Sequence, residues 1–255
     1  MTVPFRVIDT GVRDGRRQIA FDQALIELHK AGRSPDTIRF LRFPPTALVG
    51  RHQVLENEVR LDDCRAHGIG LVRRITGGGA IYLDEGQIGW EIVLSRQRLP
   101  RATLAEYSQA ICESVAGGLS TAFAIAARYR APTDIEVGGA KVCGTGGYFD
   151  GDTLVYQGTV LVDLDPAKIA SVLRLPPPKP ESSTPPPMTT LKHQLGGKTP
   201  DVSMVQRAVL TGLANGLGLT LQQGRPTVEE EALAMRLHDE EIGTDAFVLH
   251  GDKSA

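Results

Sequence analysis

The stretch from residue 134 to 163 constrains the fold of this chain more than any other part of it. It reads DIEVGGAKVCGTGGYFDGDTLVYQGTVLVD, which is three strand-like segments separated by Gly-Gly and Asp-Gly. Both dipeptides favour two-residue turns between antiparallel strands. The pattern therefore predicts a three-stranded antiparallel meander. Because side chains alternate along a strand, we expect Lys141 and Cys143 to share one face and Val142 to lie on the other.

Segments of both regular periodicities surround the meander. Residues 18–30 and 103–119 carry apolar side chains at helical spacing, so each predicts an amphipathic helix. Between them we predict, in order, the extended segments DTIRFLRF and TALVG, a short helix in VRLDDCRAHG that stops near Gly68, and a strand at residues 70–74. The segments AIYL and QIGWEIVL, separated by DEG, predict a hairpin.

One shift in composition divides the chain. Residues 175–187 read LPPPKPESSTPPP, a composition that sustains neither a helix nor a strand ladder. Beyond it, helical spacing of apolar residues and a Thr cap before an acidic first turn predict further helices. We therefore predict a large domain at residues 1–174, a Pro-rich linker at 175–188 and a small helical domain at 189–255.

Composition excludes several classes of protein. A hydrophobic fraction of 41% and a formal net charge of -2 indicate a globular chain and argue against a general nucleic-acid binder. No apolar run approaches the roughly 20 residues that span a bilayer, and the N-terminus lacks the pattern of a signal peptide, so we expect a cytoplasmic protein without a membrane partner. The three cysteines form no C-x-x-C pair and the six histidines have no spacing suited to metal ligation, which disfavours a disulfide framework and a protein-bound metal.

The segment RRITGGGAIYLD, from Arg73 to Asp84, predicts an anion site. Successive glycines let backbone N–H groups converge on a ligand, and Arg73 and Arg74 offer bidentate contacts to phosphate or carboxylate. The alternative is a tight turn flanked by two surface arginines. The segment matches neither the P-loop nor the dinucleotide fingerprint, and the chain has no H-E-x-x-H or G-x-S-x-G motif.

Lys141 and Cys143 each have two interpretations. A lysine within a strand either faces solvent or projects into a site as a point charge on a phosphate or acyl oxygen. The cysteine is either a small buried side chain or, beside the ammonium group of the lysine, a reactive thiolate.

Three motifs occur in order along the chain. They are VGRHQVLENEV with Arg51, LVRRITGGGAIYLDEG with Arg73, Arg74, Gly77, Gly78, Gly79 and Asp84, and TDIEVGGAKVCGTGG with Asp134, Lys141, Cys143 and Gly144. In order and spacing they resemble the lipoate–protein ligase A family, within a larger group that also holds biotin–protein ligases and octanoyltransferases. The signature GRGR of biotin ligases is replaced here by RRITGGGA.

The resemblance implies an α/β fold with a mixed, largely antiparallel sheet flanked by helices and a small helical C-terminal accessory domain. It implies that ATP, with Mg²⁺, and lipoate or octanoate form an acyl-AMP, and that the acyl group then passes to a lysine of a lipoyl carrier domain. Lys141 is the catalytic residue in this interpretation, and the other motif residues bind ATP and the acid. We expect the enzyme to be a monomer.

Two alternatives remain beside the ligase. Leu83, Gln87 and Cys143 replace the usual His, Asn and Ser of the family, and Cys143 permits an ATP-independent transferase with a thioester on that cysteine. The related octanoyltransferases usually carry their nucleophile before the DI motif, where FAIAARYRAPTDI has no cysteine, which favours the ligase. A carrier-binding protein without catalysis is disfavoured by Lys141 and the intact glycine triplet.

Overall fold

A computed structural model describes residues 3–174 and 187–251 of the chain. The strands are β1 (Phe5–Val12), β2 (Thr37–Arg42), β3 (Thr46–Val49), β4 (Gly70–Arg73), β5 (Ile81–Leu83), β6 (Gln87–Ser95), β7 (Ala127–Arg130), β8 (Asp134–Val137), β9 (Ala140–Asp150), β10 (Thr153–Leu161) and β11 (Leu221–Gln223). The helices are α1 (Gly15–Lys30), α2 (Leu55–Glu58), α3 (Leu61–Ala66), α4 (Leu104–Phe123), α5 (Pro166–Val172), α6 (Leu191–Gln194), α7 (Val202–Leu217), α8 (Val228–Leu237) and α9 (Asp245–His250), and one π-helical turn (His238–Ile242) follows α8.

The described strands form a large sheet and a small one. The large sheet has the order β11-β1-β2-β6-β10-β9-β8-β7, and the small sheet has the order β4-β3-β5. In the large sheet β1 pairs parallel with β2 and β11, whereas every pair from β2 to β7 is antiparallel. The prediction of a mixed, largely antiparallel sheet flanked by helices is confirmed.

Two apolar clusters lie on opposite faces of the large sheet. On one face α4 and α7 pack against Trp90, Ile92 and Tyr156. On the other face α1 and the small sheet pack against Val93 and Val155, which are the neighbours of those residues along their strands. Because side chains alternate along β6 and β10, the same two strands supply both cores.

The meander at residues 134–163 is confirmed as β8, β9 and β10. Gly138 and Gly139 connect β8 to β9 with φ of 59° and 83°, a conformation that suits a two-residue turn between antiparallel strands. Gly151, at φ 61°, lies in the turn between β9 and β10. The turn chemistry of the sequence therefore determines this part of the sheet.

The predicted hairpin between AIYL and QIGWEIVL is wrong. β5 pairs with β3 in the small sheet, whereas β6 pairs with β2 and β10 in the large one. Asp84 closes the intervening turn by accepting from the Gly86 backbone N–H at 2.9 Å, and the Gly86 carbonyl accepts from Val162 and Asp163 beyond β10. The DEG turn thus carries the chain from one sheet to the other.

The predicted helices are confirmed and the first strand is an addition. Asp14 caps helix α1, because its side chain accepts from two backbone N–H groups of the first turn. β1 precedes it, and the sequence analysis does not predict this strand. Its partner strands, β2 and β11, are distant in the chain, so no local turn sequence predicts the pairing.

The C-terminal part of the chain contacts the large sheet at several places. α7 packs against α4, α8 packs against α1, and β11 extends the sheet beside β1. Thr227 and Glu230 form a reciprocal capping box at the start of α8, as the Thr cap predicted. Residues 175–186 of the predicted linker lie outside the described residues, and the division into two domains stays a prediction. Within the described residues no helix is both long enough and apolar enough to cross a bilayer.

The crossing of α4 and α7 predicts a contrast between two neighbouring glycines. A Cβ on Gly118 would lie 2.1 Å from the Ala208 carbonyl oxygen of α7, whereas a Cβ on Gly117 would meet no atom within 4 Å. We expect Gly118→Ala to lower the free energy of unfolding by about 1–3 kcal/mol through overpacking. Gly117→Ala is the matched control and should raise it by about 0.5–1 kcal/mol, because alanine favours the helix. Urea unfolding measures both, and equal effects would contradict the close crossing.

Candidate functional site

A cavity of about 1380 Å³ opens between the large and small sheets. Its walls are the loop after β3 with Arg51, the glycine loop at residues 76–79, and the faces of β9 and β10. Ile19 and Asp22 in the N-terminal half of α1, the segment around Met188 and residues 249–251 complete it. The second and third motifs of the sequence therefore meet across one cavity.

The side chain of Arg74 stabilises the glycine loop by hydrogen bonds to its backbone carbonyls. Its Nη2 donates to the carbonyls of Gly77 and Gly79 at 2.9 Å each, and its Nη1 donates to the carbonyl of Leu48 at 3.3 Å. A Cβ on Gly77 or Gly79 would meet nothing within 4 Å, so the loop borders open space. Burial lowers the pKa of Arg74 to about 10, which leaves it charged at neutral pH. Arg74 thus shapes an open backbone cradle.

Arg73 is buried, and its guanidinium group donates hydrogen bonds to backbone carbonyls of the protein. Its guanidinium donates to the carbonyls of Gly50, Arg51 and Gln53 after β3, and to those of Phe247, Val248 and Leu249 in α9. The side chain is only 2% exposed. The predicted role of Arg73 as a phosphate ligand therefore gives way to a structural one, in which it joins the C-terminal helix to the cavity wall.

Lys141 projects into the cavity from the start of β9. Its Nζ lies 2.7 Å from Asp134 Oδ1, and its side chain is 31% exposed. The side chain crosses over Gly144, where a Cβ would lie 2.6 Å from Lys141 Cε. Its backbone is paired too, since its N–H donates to Pro187 at 2.7 Å and its carbonyl accepts from Thr189 at 2.8 Å. Asp134, Lys141 and Gly144 of the third motif therefore lie in direct contact with one another.

The expectation that Lys141 and Cys143 share a face is wrong. The register of β8 against β9 pairs Glu136 with Lys141 but Ile135 with Cys143, so Val142 is an extra residue in β9. Such a bulge reverses the alternation of side chains beyond it. Cys143 is fully buried in the core beneath α4, while Lys141 faces the cavity on the opposite side of the sheet.

None of the three cysteines is a reactive thiolate in this structure. All three are buried, and none lines the cavity. Burial raises the pKa of Cys143 to about 12 and also raises the pKa values of Cys64 and Cys112. Because only the thiolate is a good nucleophile, the prediction of Cys143 as an acyl acceptor loses its physical basis.

The remaining predicted residues have different positions. Arg51 lies at the cavity wall on the exposed loop after β3. Asp84 is the turn residue between β5 and β6, where it accepts from the Gly86 N–H and from the Tyr82 hydroxyl at 3.2 Å. Gly78 packs against Gly50, on which a Cβ would lie 2.1 Å from the Gly78 carbonyl oxygen. Asp84 thus supports the cavity from outside, and Gly50 maintains the loop contact.

Sequence reasoning missed several residues that line the cavity. Gly146, Tyr148 and Gln157 project from β9 and β10, and Asp22 projects from α1. A Cβ on Gly146 would meet nothing within 4 Å. The recurrence of glycine at positions 144 and 146 of a strand was an available signal, because glycine in a strand marks close approach of a ligand or backbone.

The donor set fits an anionic ligand. Within residues 3–174 and 187–251, no group of three or more His, Cys, Asp and Glu side chains could hold a metal ion. Mg²⁺ typically uses one or two carboxylates together with the oxygens of substrate phosphates, so this set is compatible with a nucleotide-bound cation. The open glycine cradle and the Lys141 ammonium group supply donors and positive charge for phosphate or carboxylate oxygens.

Comparison with known proteins places this geometry among related chains. Residues 14–214 match the family described as lipoyl protein ligase A/B catalytic domain. The chain is 30% identical to an octanoyltransferase LipM of Symbiobacterium thermophilum, over 96% of this chain and 98% of that one. Its fold is similar to the bi-partite lipoate protein ligase of Thermoplasma acidophilum, with a TM-score of 0.86, 23% identity and coverage of 100% and 99%. It is also similar to a lipoate-protein ligase A bound with ATP, with a TM-score of 0.85, 24% identity and coverage of 98% and 100%.

Proposed function

Because the chain belongs to the family of lipoyl protein ligase A/B catalytic domains, we propose that it attaches a lipoyl or octanoyl group to a lysine of a lipoyl carrier domain. The acyl group comes from the free acid and ATP through an acyl-AMP. Support for the carrier comes from the T. acidophilum neighbour, which was studied together with its E2 lipoyl domain.

One observation carries the ATP-dependent form of the proposal. The cavity contains a lysine held by an aspartate at 2.7 Å, but no cysteine. A transferase with a covalent thioester needs a thiolate within reach of the acyl group, and burial opposes ionisation of every thiol of this chain. Activation as a mixed anhydride needs only positive charge and backbone donors around the reacting oxygens.

In the first step the carboxylate of the acid attacks the α-phosphorus of ATP, and pyrophosphate leaves. Negative charge concentrates on the phosphoryl oxygens, and the ammonium group of Lys141 and the N–H groups of the glycine loop stabilise it. Mg²⁺, when bound, would neutralise further charge on the phosphates. Asp134, whose Oδ1 lies 2.7 Å from Lys141 Nζ, is the carboxylate beside Lys141 that would hold it.

In the second step the amine of the carrier lysine attacks the acyl carbonyl. An amide bond forms, the carbon–oxygen bond to AMP breaks, and AMP leaves as the anion while the amine proton passes to solvent. Lys141 stabilises the oxyanion and the leaving phosphate, since its ammonium group is fixed between Asp134 and Gly144. Its role is electrostatic in both steps.

A second function is favoured by the relatives. The chain is 30% identical to a protein named octanoyltransferase LipM over 96% of its length. In this alternative the carrier lysine attacks an octanoyl thioester on another carrier without ATP. An amide bond forms, the carbon–sulfur bond breaks, and the donor carrier leaves as the free thiol after taking up the amine proton. With Cys143 in the core, that transfer has to be direct, and Lys141 stabilises the oxyanion of the attacked thioester carbonyl.

Intact-mass analysis of a lipoyl carrier domain distinguishes the two functions. The carrier is incubated with the protein and octanoate or lipoate, with and without Mg-ATP, and separately with an octanoyl-carrier thioester. We expect modification by the free acids only when ATP is present. Modification by the thioester alone would replace the ligase with the transferase, and no modification under any condition would reject both.

Alanine in place of Cys143 gives a further expected outcome. We expect Cys143→Ala to keep carrier modification within about threefold of wild type, because the thiol faces the core beneath α4 and contributes no nucleophile. Far-UV and near-UV circular dichroism check that the packing is retained. Complete loss of modification by a folded variant, together with a thioester trapped on the wild-type protein, would show covalent catalysis.

A further inference from the structure

The cavity continues past Lys141 along one face of β9. That face presents Gly144, Gly146 and Tyr148, because alternate residues of a strand share a face. Gly144 lies under the Lys141 side chain, and the space above Gly146 is empty to 4 Å. At about 3.3 Å per residue, Tyr148 follows about 13 Å beyond Gly144. An open strip therefore leads from the lysine to the tyrosine.

A row of polar side chains crosses the sheet near the far end of this strip. Gln157 pairs with Gly146, Glu91 pairs with Gln157, and Arg39 pairs with Glu91. Asp22 of α1 covers the row. Gln157 Nε2 donates to Asp22 Oδ2 at 3.2 Å and to Glu91 Oε2 at 3.0 Å. These two carboxyl groups orient the amide, so that its nitrogen faces them and its oxygen does not. Burial, together with the neighbouring Glu91, raises the pKa of Asp22 to about 8.

Two groups at this end have no partner in the described part of the chain. The Tyr148 hydroxyl and Gln157 Oε1 make no hydrogen bond to residues 3–174 or 187–251, although both side chains line the cavity. Burial and the nearby Asp22 carboxyl group raise the pKa of Tyr148, so the hydroxyl keeps its proton and is a donor. The far end of the cavity thus offers one donor and one acceptor.

We propose that Tyr148 and Gln157 form a polar subsite that selects acyl groups carrying a hydroxyl or carbonyl oxygen at the end remote from the carboxylate. This inference rests on the proposed function, because it takes Lys141 as the group that binds the carboxylate end. The subsite thus extends the acids of the proposed function, lipoate and octanoate, to medium-chain hydroxy or oxo acids.

The selection follows from what each kind of chain end does to the two polar groups. A methyl end displaces water from the Tyr148 hydroxyl and from Gln157 Oε1 and returns no hydrogen bond to either. A terminal hydroxyl accepts from Tyr148 and donates to Gln157 Oε1, which replaces the bonds lost by both. One net hydrogen bond corresponds to about fivefold in affinity.

The test is calorimetric binding of octanoate and 8-hydroxyoctanoate to the full-length protein. We expect the hydroxylated acid to bind wild type at least as tightly as octanoate does. In Tyr148→Phe its affinity relative to octanoate should fall about fivefold, because only the hydroxyl group is removed. Weaker binding of the hydroxylated acid to wild type, an unchanged ratio in the variant, or no binding of either acid would overturn the subsite.

Tyr107→Phe is the matched control for this substitution. Tyr107 is buried on the other face of the sheet, where its hydroxyl donates to the Arg96 carbonyl at 3.1 Å, and it does not line the cavity. The affinity of Tyr107→Phe for 8-hydroxyoctanoate relative to octanoate should equal that of the wild-type protein. Carrier modification is measured separately, so that acid selection without modification rejects the proposed function alone, and modification without acid selection rejects the subsite alone.

Discussion

Alanine in place of Lys141 is expected to lower the rate of carrier modification by at least about 10²–10³-fold. The ammonium group of Lys141 is a cation that points into the cavity between Asp134 and Gly144, and removal of one preorganised electrostatic donor commonly has an effect of this size. Single-turnover modification measured by intact mass reports the loss. If an acyl-AMP forms, its yield falls together with the rate.

Lys30→Ala is the matched control for Lys141→Ala. Lys30 also pairs with an aspartate, Asp150, at 2.6 Å, and its side chain is 43% exposed, but it does not line the cavity. Both variants lose an ion pair that contributes little to stability, so both should unfold at nearly the wild-type denaturant concentration. An unchanged rate in Lys141→Ala would remove that lysine from the mechanism, and an equal loss in Lys30→Ala would point to a general effect of charge.

Leucine in place of Arg73 is expected to lower the free energy of unfolding by about 3–4 kcal/mol. The substitution removes the Arg73 donor from six backbone carbonyls, three after β3 and three in α9, of which those of Gly50 and Phe247 keep a backbone donor. Buried acceptors without partners are costly, although rearrangement and water recover part of each loss. Urea unfolding followed by circular dichroism measures the change.

Arg65→Leu tests whether the effect belongs to the buried site. Arg65 lies on the surface, 71% exposed, in an ion pair with Asp62, and its replacement should change stability by no more than about 0.5 kcal/mol. A stable Arg73→Leu protein with a raised KM for ATP or for the acyl donor would contradict the structural role. It would restore Arg73 as a ligand-binding residue.

Arg73 and Arg74 show how a correct motif can receive an incorrect role. Their position next to three glycines predicts an anion site, and the glycine loop does line the cavity. Both guanidinium groups nevertheless donate to backbone carbonyls. Arg74 donates to those of Leu48, Gly77 and Gly79, and Arg73 donates to carbonyls of two segments that are distant in the chain. A sequence does not reveal which carbonyls lack a donor in the folded chain, since that depends on segments brought together only by packing.

Local patterns in the sequence were sufficient for the antiparallel meander and the amphipathic helices. Turn glycines and side-chain periodicity act between neighbours in the chain, so they can be read without the fold. Tertiary structure alone decided the pairing of β1, the separation of β5 from β6, and the opposite faces of Lys141 and Cys143. The physical reason for the first two is that they depend on hydrogen bonds to strands that are distant in the chain. The third depends on the register between β8 and β9, where one extra residue, Val142, is enough to send the cysteine into the core and leave the lysine in the cavity.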